Sequence, residues 1–397
     1  MKELSRIASA VQASTTMAID AMFKQMKADG VDVIGFGAGE PDFNTPDNIK
    51  AAGIAAIEQN VTRYTPAAGT VELRQAVCGR MKADYGLEYK PSQVVVSSGA
   101  KHLVYLALRA VVNPGDEVIL PAPYWVSYIE LIKMVGGVPV VVTATEAEHF
   151  KLTAEKLSAA ITPRTKAILL NNPSNPTGMM YDREELEAIA AVCTQADIYV
   201  ISDEIYACLA YDGRTFTSFA SLSADAKERT ILVNGVSKAY AMTGWRMGYV
   251  CGPAPILQQM LKLHQFGIMS APTTSQYAAI EAMRNGDVDI EKMRDEYDGR
   301  RRYLVEGLRR IGLPCFEPKG AFYVFPDIRG TGLTSDEFCE RFLMEEKVAV
   351  ISGAAFGPGG EGFIRCCYAT SMKDIAEALT RMDNFLTNLR KKQAREG

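Results

Sequence analysis

The stretch Asn234-Gly-Val-Ser-Lys-Ala-Tyr-Ala-Met-Thr-Gly-Trp-Arg246 places a lysine and an arginine in a loop of mostly small residues. It follows the apolar run 231–233, a pattern that is typical of a buried strand. The amine of Lys238 can form a Schiff base with an aldehyde, and the guanidinium of Arg246 is suited to bidentate binding of a phosphate. A lysine in a loop is also commonly a solvated surface residue. On this stretch alone both interpretations are open.

Short apolar runs alternate with helical patterns on both sides of this loop. The runs lie at 94–97, 117–120, 138–142, 166–170, 198–201, 231–233 and 248–251. Strands that are apolar throughout and alternate with helices indicate an α/β fold with a mostly parallel, seven-stranded sheet sandwiched by helices. In such a sheet, ligands bind at the carboxyl ends of the strands, and a single site is therefore predicted there.

The sequence pattern changes after about residue 285. Further helices and strands are predicted over 290–311, 335–346, 348–351 and 362–368 and from about 372 onward. We interpret residues 46–285 as a large domain and residues 286–397 as a smaller α+β domain. Residues 1–45, whose first 30 residues have a helical pattern, are predicted to form an N-terminal segment that packs with the smaller domain.

The composition argues against several classes of protein. The chain has 397 residues, enough for two domains of ordinary size, and its net charge of −4 gives no indication of a nucleic-acid partner. No apolar run approaches the roughly 20 residues needed to cross a bilayer, so no membrane partner is expected. Eight scattered cysteines without a C-x-x-C pair indicate free thiols and a cytoplasmic location. The three histidines lack metal-ligand spacing, so we predict no metal site.

Two runs that follow the first predicted strands carry residues suited to a ligand site. Ser97-Ser-Gly-Ala-Lys101 opens a helix and would expose backbone N–H groups to a phosphate, although many helices begin in this way. Pro121-Ala-Pro-Tyr-Trp-Val-Ser-Tyr128 contains Trp125, which could lie flat on a planar heteroaromatic ring. The alternative is that Trp125 packs in the core or at an interface.

Two later runs follow the predicted strands at 166–170 and 198–201. Asn171-Asn-Pro-Ser-Asn-Pro-Thr-Gly178 is predicted to form a rigid turn that projects Asn175. Ser202-Asp-Glu-Ile-Tyr206 places Asp203 at a buried strand end, where a carboxylate needs a positive partner such as a pyridinium N–H. The alternative for Asp203 is the N-cap of a helix.

Together these runs resemble the class I, fold-type I pyridoxal-phosphate aminotransferases, and most closely their bacterial aspartate aminotransferase branch. The resemblance covers essentially the whole chain, and its motifs occur in the order of the family. They are Gly37-Ala-Gly-Glu-Pro-Asp-Phe43, Arg63-Tyr-Thr-Pro-Ala-Ala-Gly69, Asn172-Pro-Ser-Asn-Pro-Thr-Gly178, Ser202-Asp-Glu-Ile-Tyr206, Ser237-Lys with Gly244-Trp-Arg246, and Arg365-Cys-Cys-Tyr-Ala-Thr-Ser371. The resemblance implies a pyridoxal 5'-phosphate cofactor and a homodimer with shared active sites.

The resemblance also implies roles for individual residues toward the cofactor. Lys238 would hold it as a Schiff base and move the substrate proton, and Asp203 would pair with the pyridine nitrogen. Tyr206 and Asn175 would bond the ring 3'-oxygen. The remaining implied contacts are the stacked ring of Trp125, the phosphate-binding groups of Gly99, Ala100, Lys101, Ser237 and Arg246, and Tyr64 reaching the cofactor of the neighbouring subunit.

Toward the substrate, the resemblance implies that Arg365 binds the α-carboxylate, assisted by the Gly39 N–H and beside Trp125 and Asn175. Many family members carry a phosphate-binding serine where this chain has Gly235, and Ser237 or Ser98 would compensate. In one branch, an arginine of the partner subunit binds the distal carboxylate, but residues 263–283 contain no arginine. Lys101, assisted by Ser14, is therefore the candidate for that carboxylate.

The implied reaction is ping-pong amino transfer between L-aspartate and 2-oxoglutarate, giving oxaloacetate and glutamate. Within the family, the alternative is a different amino donor: prephenate or arogenate, alanine, or an aromatic amino acid. Outside it, the alternatives are a pyridoxal-dependent lyase or synthase on the same fold and a cofactor-free binding protein descended from it. The last would have no need for Lys238, Asp203 and Arg246 together.

Overall fold

The structure is a computed structural model, and it describes residues 2–12 and 15–396. Numbered in chain order, the strands are β1 Ile34–Gly35, β2 Val94–Ser97, β3 Glu117–Ala122, β4 Val138–Thr143, β5 Thr165–Asn171, β6 Tyr199–Asp203, β7 Thr230–Gly235, β8 Gly248–Cys251, β9 Tyr323–Val324, β10 Val348–Ala349, β11 Ile351–Ser352 and β12 Ile364–Cys367. The strands β2 to β8 form a seven-stranded sheet in the order β2-β8-β7-β6-β5-β3-β4. The strand β8 runs antiparallel to both of its neighbours, β2 and β7, and the other adjacent pairs in this sheet are parallel. The predicted α/β fold is confirmed.

The helices cover this sheet and build the remainder of the chain. They are α1 Arg6–Ala10, α2 Thr15–Ala28, α3 Asp47–Glu58, α4 Val71–Tyr85, α5 Ala100–Val111, α6 Ser127–Met134, α7 Ala154–Ala160, α8 Arg183–Gln195, α9 Ala224–Arg229, α10 Ala254–Gly267, α11 Thr273–Asn285, α12 Asp287–Arg310, α13 Ser335–Glu346 and α14 Met372–Glu396. Local sequence explains several ends: Thr70 caps α4 through its side chain, and Gly86 ends that helix with φ of 67°. Among the described residues, no helix combines the length and the apolar character required to cross a membrane.

A second core lies beyond the large sheet. The strands β11, β12 and β9 form an antiparallel sheet, and β1 pairs in parallel with β10, with Ile34 opposite Val348. Ile34 and Phe36 are buried in one apolar cluster with Phe322, Phe338 and other residues of the C-terminal third. Burial of these side chains supplies the main driving force for docking the N-terminal segment there. The domain boundaries at residues 45 and 285 stay predictions.

Two local predictions need correction. The strand expected over 348–351 is two short strands, because β10 pairs with β1 whereas β11 pairs with β12. The helical pattern over the first 30 residues corresponds to two helices, and the first ends where Val11 adopts an extended backbone with ψ of 126°. All eight cysteines carry free thiols.

Candidate active site

A cavity of about 480 Å³ opens at the carboxyl ends of the parallel strands and is lined by side chains from both cores. Most of the predicted site residues line it, namely Gly39, Ala100, Lys101, Trp125, Asn175, Asp203, Tyr206, Ser237, Lys238, Arg246 and Arg365. Gly99 directly precedes Ala100 in the turn beside Arg246. Tyr64 lies outside this cavity, 83% exposed, in a separate surface groove. Ser14 lies outside the described residues.

Lys238 stands in the loop that follows β7. Its Nζ donates a hydrogen bond to the Gly39 carbonyl at 2.6 Å. Burial lowers the pKa of Lys238 to about 8, and the nearby Arg365 and Arg246 act in the same direction. A lysine with this pKa keeps a useful fraction of neutral amine near pH 7, and the neutral amine is the form that attacks an aldehyde.

Asp203 ends β6 and is buried below the same cavity. Its Oδ2 accepts a hydrogen bond from the Tyr128 hydroxyl at 2.7 Å, and its Oδ1 accepts one from the Ile205 N–H at 3.2 Å. Burial raises the pKa of Asp203 to about 6, although Tyr128 opposes the rise. A turn rather than a helix follows, so Asp203 is not a helix N-cap. A buried carboxylate without a cation is costly, which fits a positively charged ligand atom here.

One end of the cavity is built around Arg365 on β12. Its Nη1 donates to Oδ1 of Asn175 at 2.8 Å, and its Nη2 donates to the Gly37 carbonyl at 2.7 Å. Its Nε is buried without a hydrogen-bond partner among the described residues. The guanidinium also packs 4.5 Å from the ring centre of Tyr323. These contacts fix the plane of the guanidinium, which is the geometry that bidentate recognition of a carboxylate requires.

The opposite end of the cavity is a turn that could hold a phosphate. Gly99 has φ of 89°, and a Cβ atom at this position would lie 2.6 Å from Nη2 of Arg246. Only glycine therefore allows the arginine to approach this turn, which precedes the N-terminus of α5. Arg246 is held by the carbonyls of Thr243 at 2.9 Å and Ser98 at 3.4 Å. The N-terminus of this twelve-residue helix and the arginine together fit a phosphate group.

The structure gives a reason for the glycine at position 235. A Cβ atom there would lie 2.9 Å from the Met247 carbonyl oxygen and 3.0 Å from the Gly248 Cα atom. Both contacts are with backbone, which cannot move aside cheaply, so the close pairing of β7 and β8 excludes a serine. Ser237 lines the cavity two residues later, within reach of the same region.

Trp125 and Lys101 lie together at the mouth of the cavity. The Lys101 ammonium stands 4.7 Å from the ring centre of Trp125, a cation–π contact. Partial desolvation and the nearby Arg246 lower the pKa of Lys101. The Trp125 ring also meets Tyr128 edge to face, with ring centres 5.2 Å apart. Lys101 is therefore a cation directed at the cavity rather than a lysine on the far side of its helix.

Two tyrosines of the site were not predicted from the sequence. Tyr128 holds Asp203 and supports Trp125, as described above. The Tyr323 hydroxyl lies 2.8 Å from the hydroxyl of Tyr206, and both side chains are buried. Tyr128 belongs to the run that was singled out for Trp125, but nothing local in the sequence pairs it with a residue 75 positions away.

The fold and the site define a pyridoxal-phosphate-dependent transferase of fold type I. The chain matches the family model of aminotransferases of classes I and II over residues 31–382 and belongs to that family. The resemblance deduced from the motifs, the aminotransferase class and the pyridoxal 5'-phosphate cofactor are confirmed.

Relatives and solved structures extend over almost the whole chain. An aspartate aminotransferase of Bacillus sp. (strain YM-2) is 47% identical over 97% of this chain and all of its own length. A probable aspartate/prephenate aminotransferase of Aquifex aeolicus (strain VF5) is 43% identical over 98% of this chain and all of its own length. The structure of an aspartate aminotransferase from Thermus thermophilus with maleate is similar with a TM-score of 0.93, at 40% identity, over 97% of this chain and all of that chain.

Proposed function

We propose that this aminotransferase exchanges the amino group between L-aspartate and 2-oxoglutarate in two half-reactions, giving oxaloacetate and glutamate. The observation that carries the proposal is that, among the cationic side chains lining the cavity, the buried Arg365 and the exposed Lys101 are both placed to face a substrate. A dicarboxylic substrate needs a counter-charge for each carboxylate, because an unpaired buried carboxylate is expensive. The relatives named as aspartate aminotransferases support the same substrate class.

Residues of this chain would hold the cofactor at each of its functional groups. Lys238 is the attachment point, Asp203 the partner of the ring nitrogen, and Tyr206 with Asn175 the partners of the 3'-oxygen. Trp125 would cover one face of the ring. Ser237, Arg246 and the N–H groups at Gly99 and Ala100 would bind the phosphate. The bound cofactor supplies an electron sink that lowers the barrier to removing the substrate α-proton.

The protein supplies proton transfer and orientation. The Nζ atom of Lys238, as a neutral amine, would take the substrate α-proton as a general base and then give it up again from the same face as a general acid. Arg365 and the Gly39 N–H would fix the α-carboxylate, so that the α-hydrogen faces Lys238. Burial raises the pKa of Asp203 to about 6, so above that pH its carboxylate would stabilise positive charge on the ring nitrogen.

The direct test is an assay of the purified protein with a panel of amino donors and 2-oxoglutarate, in which glutamate formation is measured. Aspartate should be a preferred donor. Because some relatives are named aspartate/prephenate aminotransferases, prephenate is tested separately as an amino acceptor in place of 2-oxoglutarate, with aspartate as the donor and oxaloacetate formation as the measurement. Ammonia or pyruvate released without glutamate would favour the lyase alternative.

Replacing Lys101 with alanine is expected to lower kcat/KM for aspartate by about 10- to 150-fold. The basis is a charge-assisted hydrogen bond to the distal carboxylate, worth about 1.5–3 kcal/mol. Alanine and phenylalanine, which lack that carboxylate, should lose much less. Lys262→Ala, on the exposed side of α10, is the control lysine. An equal loss for all three substrates would show that Lys101 serves the cofactor or the fold.

We further propose that the enzyme is a homodimer in which Tyr64 of each subunit completes the phosphate site of the other. The groove that contains Tyr64 also contains Ser98, whose carbonyl accepts from Arg246 inside the active site. Phe266 and Met269, 95% and 53% exposed, lie in the neighbouring chain segment. Exposed apolar surface of this kind is typical of protein interfaces.

We also propose that the enzyme is located in the cytoplasm, where its free cysteines would stay reduced.

Mixing two defective variants is expected to restore activity if the sites are shared. In a hybrid of Tyr64→Ala and Lys238→Ala subunits, one of the two sites has both native residues. The mixture, after subunit exchange, should exceed the sum of the separate activities, and sedimentation should give the mass of a dimer. A monomer that is fully active at assay concentration would contradict the proposal.

A further inference from the structure

Tyr323 on β9 contacts three functional groups of the site at once. Its hydroxyl lies 2.8 Å from that of Tyr206, and its ring packs 4.5 Å from the Arg365 guanidinium. It also lies against Gly39, where a Cβ atom would stand 2.7 Å from the Tyr323 hydroxyl oxygen. The side chain is fully buried and lines the cavity. It therefore belongs to the site, although the proposed reaction has so far given it no role.

Either hydroxyl could donate in this hydrogen bond, and the proposed role of Tyr206 selects the direction. Tyr206 has one hydroxyl proton, and if that proton points to the cofactor's 3'-oxygen, its own oxygen must accept from Tyr323. The other ring that packs edge-on against Tyr206 is Phe322, with ring centres 5.3 Å apart, and it has no proton to give. Burial raises the pKa of Tyr206, whereas the bond from Tyr323 and the charge of Arg365 lower it. The hydrogen bond from Tyr323 thus makes the Tyr206 hydroxyl a stronger hydrogen-bond donor than it would be alone.

We propose that Tyr323 is a positioning residue that donates its proton to Tyr206 and thereby directs the Tyr206 proton at the cofactor's 3'-oxygen. This inference rests on the proposed role of Tyr206 in the aminotransferase reaction. In this role Tyr323 acts through Tyr206, the residue whose hydroxyl it contacts. When the Tyr206 hydroxyl accepts a hydrogen bond from Tyr323, its O–H bond becomes more polarised. The hydrogen bond that Tyr206 donates to the 3'-oxygen is therefore stronger.

The test measures the pH midpoint of the visible absorption band of the yellow holoenzyme in Tyr323→Phe, Tyr206→Phe and the double variant. A hydrogen bond to the 3'-oxygen stabilises its negative charge, so losing that bond raises the midpoint. Tyr206→Phe should raise it by about one unit or more, and Tyr323→Phe by a few tenths of a unit. The double variant should match Tyr206→Phe, because Tyr323 has no effect once its acceptor is gone.

Two further variants separate this role from a structural one. Tyr368→Phe removes a buried hydroxyl that donates to the Ala321 carbonyl at 3.2 Å in the same core, and it should leave the midpoint unchanged. A fluorinated tyrosine at position 323 keeps the hydroxyl and is a stronger donor, so the midpoint should fall. Thermal unfolding of each apoenzyme reports whether the fold is preserved.

Two results would overturn the inference. The first is a pH midpoint that stays unchanged both in Tyr323→Phe and with the fluorinated tyrosine at position 323. The second is a double variant whose change in midpoint equals the sum of the changes in the single variants. A protein that binds no pyridoxal phosphate, or whose colour does not depend on Lys238, would instead refute the proposed function. The two failures are therefore distinguishable.

Discussion

Lys238→Ala is expected to abolish amino transfer while the protein still binds pyridoxal phosphate. Proton transfer by a positioned base is worth about 10²- to 10⁴-fold in rate, and the covalent attachment is lost as well, so the decrease should be at least that large. Arg246, Asp203 and Trp125 are unaffected and should retain the cofactor. Glutamate formation measures the loss, and absorbance after gel filtration measures the retained cofactor.

A primary amine added to the buffer supplies the control for the Lys238 prediction. Truncation to alanine leaves space where the Nζ atom stood beside the Gly39 carbonyl, so a small amine should restore part of the activity. The restored rate should rise with pH as the amine loses its proton, because only the neutral form acts as a base. Substantial turnover by Lys238→Ala without added amine would remove Lys238 from the chemistry.

Much of the fold could be predicted because of how a parallel sheet is buried. Strands covered on both faces are apolar throughout, and all seven predicted runs fall within strands β2 to β8, apart from the first residue of the run at 198–201. Adjacent parallel strands end at the same edge, which brings Asp203 and Lys238 together: Asp203 pairs with Val233, five residues before the lysine. The placement of both residues around one cavity follows from topology.

The parts of the site that could not be predicted depend on contacts between distant segments. The Tyr323 and Tyr206 hydroxyls meet across 117 positions of the chain, and only the docking of the two cores brings them together. The absence of a serine at Gly235 was visible in the sequence, but its cause is the separation of two backbones. The short strands β10 and β11 were predicted as one strand over 348–351. The alternation of apolar residues cannot show that the two halves pair with different partners.

Asp203→Asn is expected to lower kcat/KM by roughly 10²-fold to several thousand-fold. The variant keeps the size of the side chain but removes the charge that would face the ring nitrogen. Loss of one partner of a buried ion pair costs about 3–5 kcal/mol, and each 1.36 kcal/mol is a factor of ten. Cofactor affinity should weaken as well, and titration of the apoenzyme with pyridoxal phosphate measures it separately from the rate.

The adjacent residue provides a matched control, because Glu204 is also a fully buried carboxyl at the end of β6. Its Oε1 accepts hydrogen bonds from Ser202, Ser218 and the Phe219 N–H, and it does not line the cavity. Burial raises the pKa of Glu204 to about 7, so glutamine replaces a group that is already partly neutral. Glu204→Gln should therefore bind the cofactor nearly as well as the native protein.

The pH dependence of cofactor binding should differ between the native protein and Asp203→Asn. Burial raises the pKa of Asp203 to about 6, so the native carboxylate takes up a proton as the pH falls through that value and no longer balances a ring cation. Native affinity should decline there, whereas Asp203→Asn, uncharged at every pH, should be weaker above pH 6 and show a flatter profile. If Asp203→Asn and Glu204→Gln lost the same amount of cofactor affinity, the charge of Asp203 at the cavity would not explain the effect. The loss would then come from changing a buried carboxyl at the end of β6.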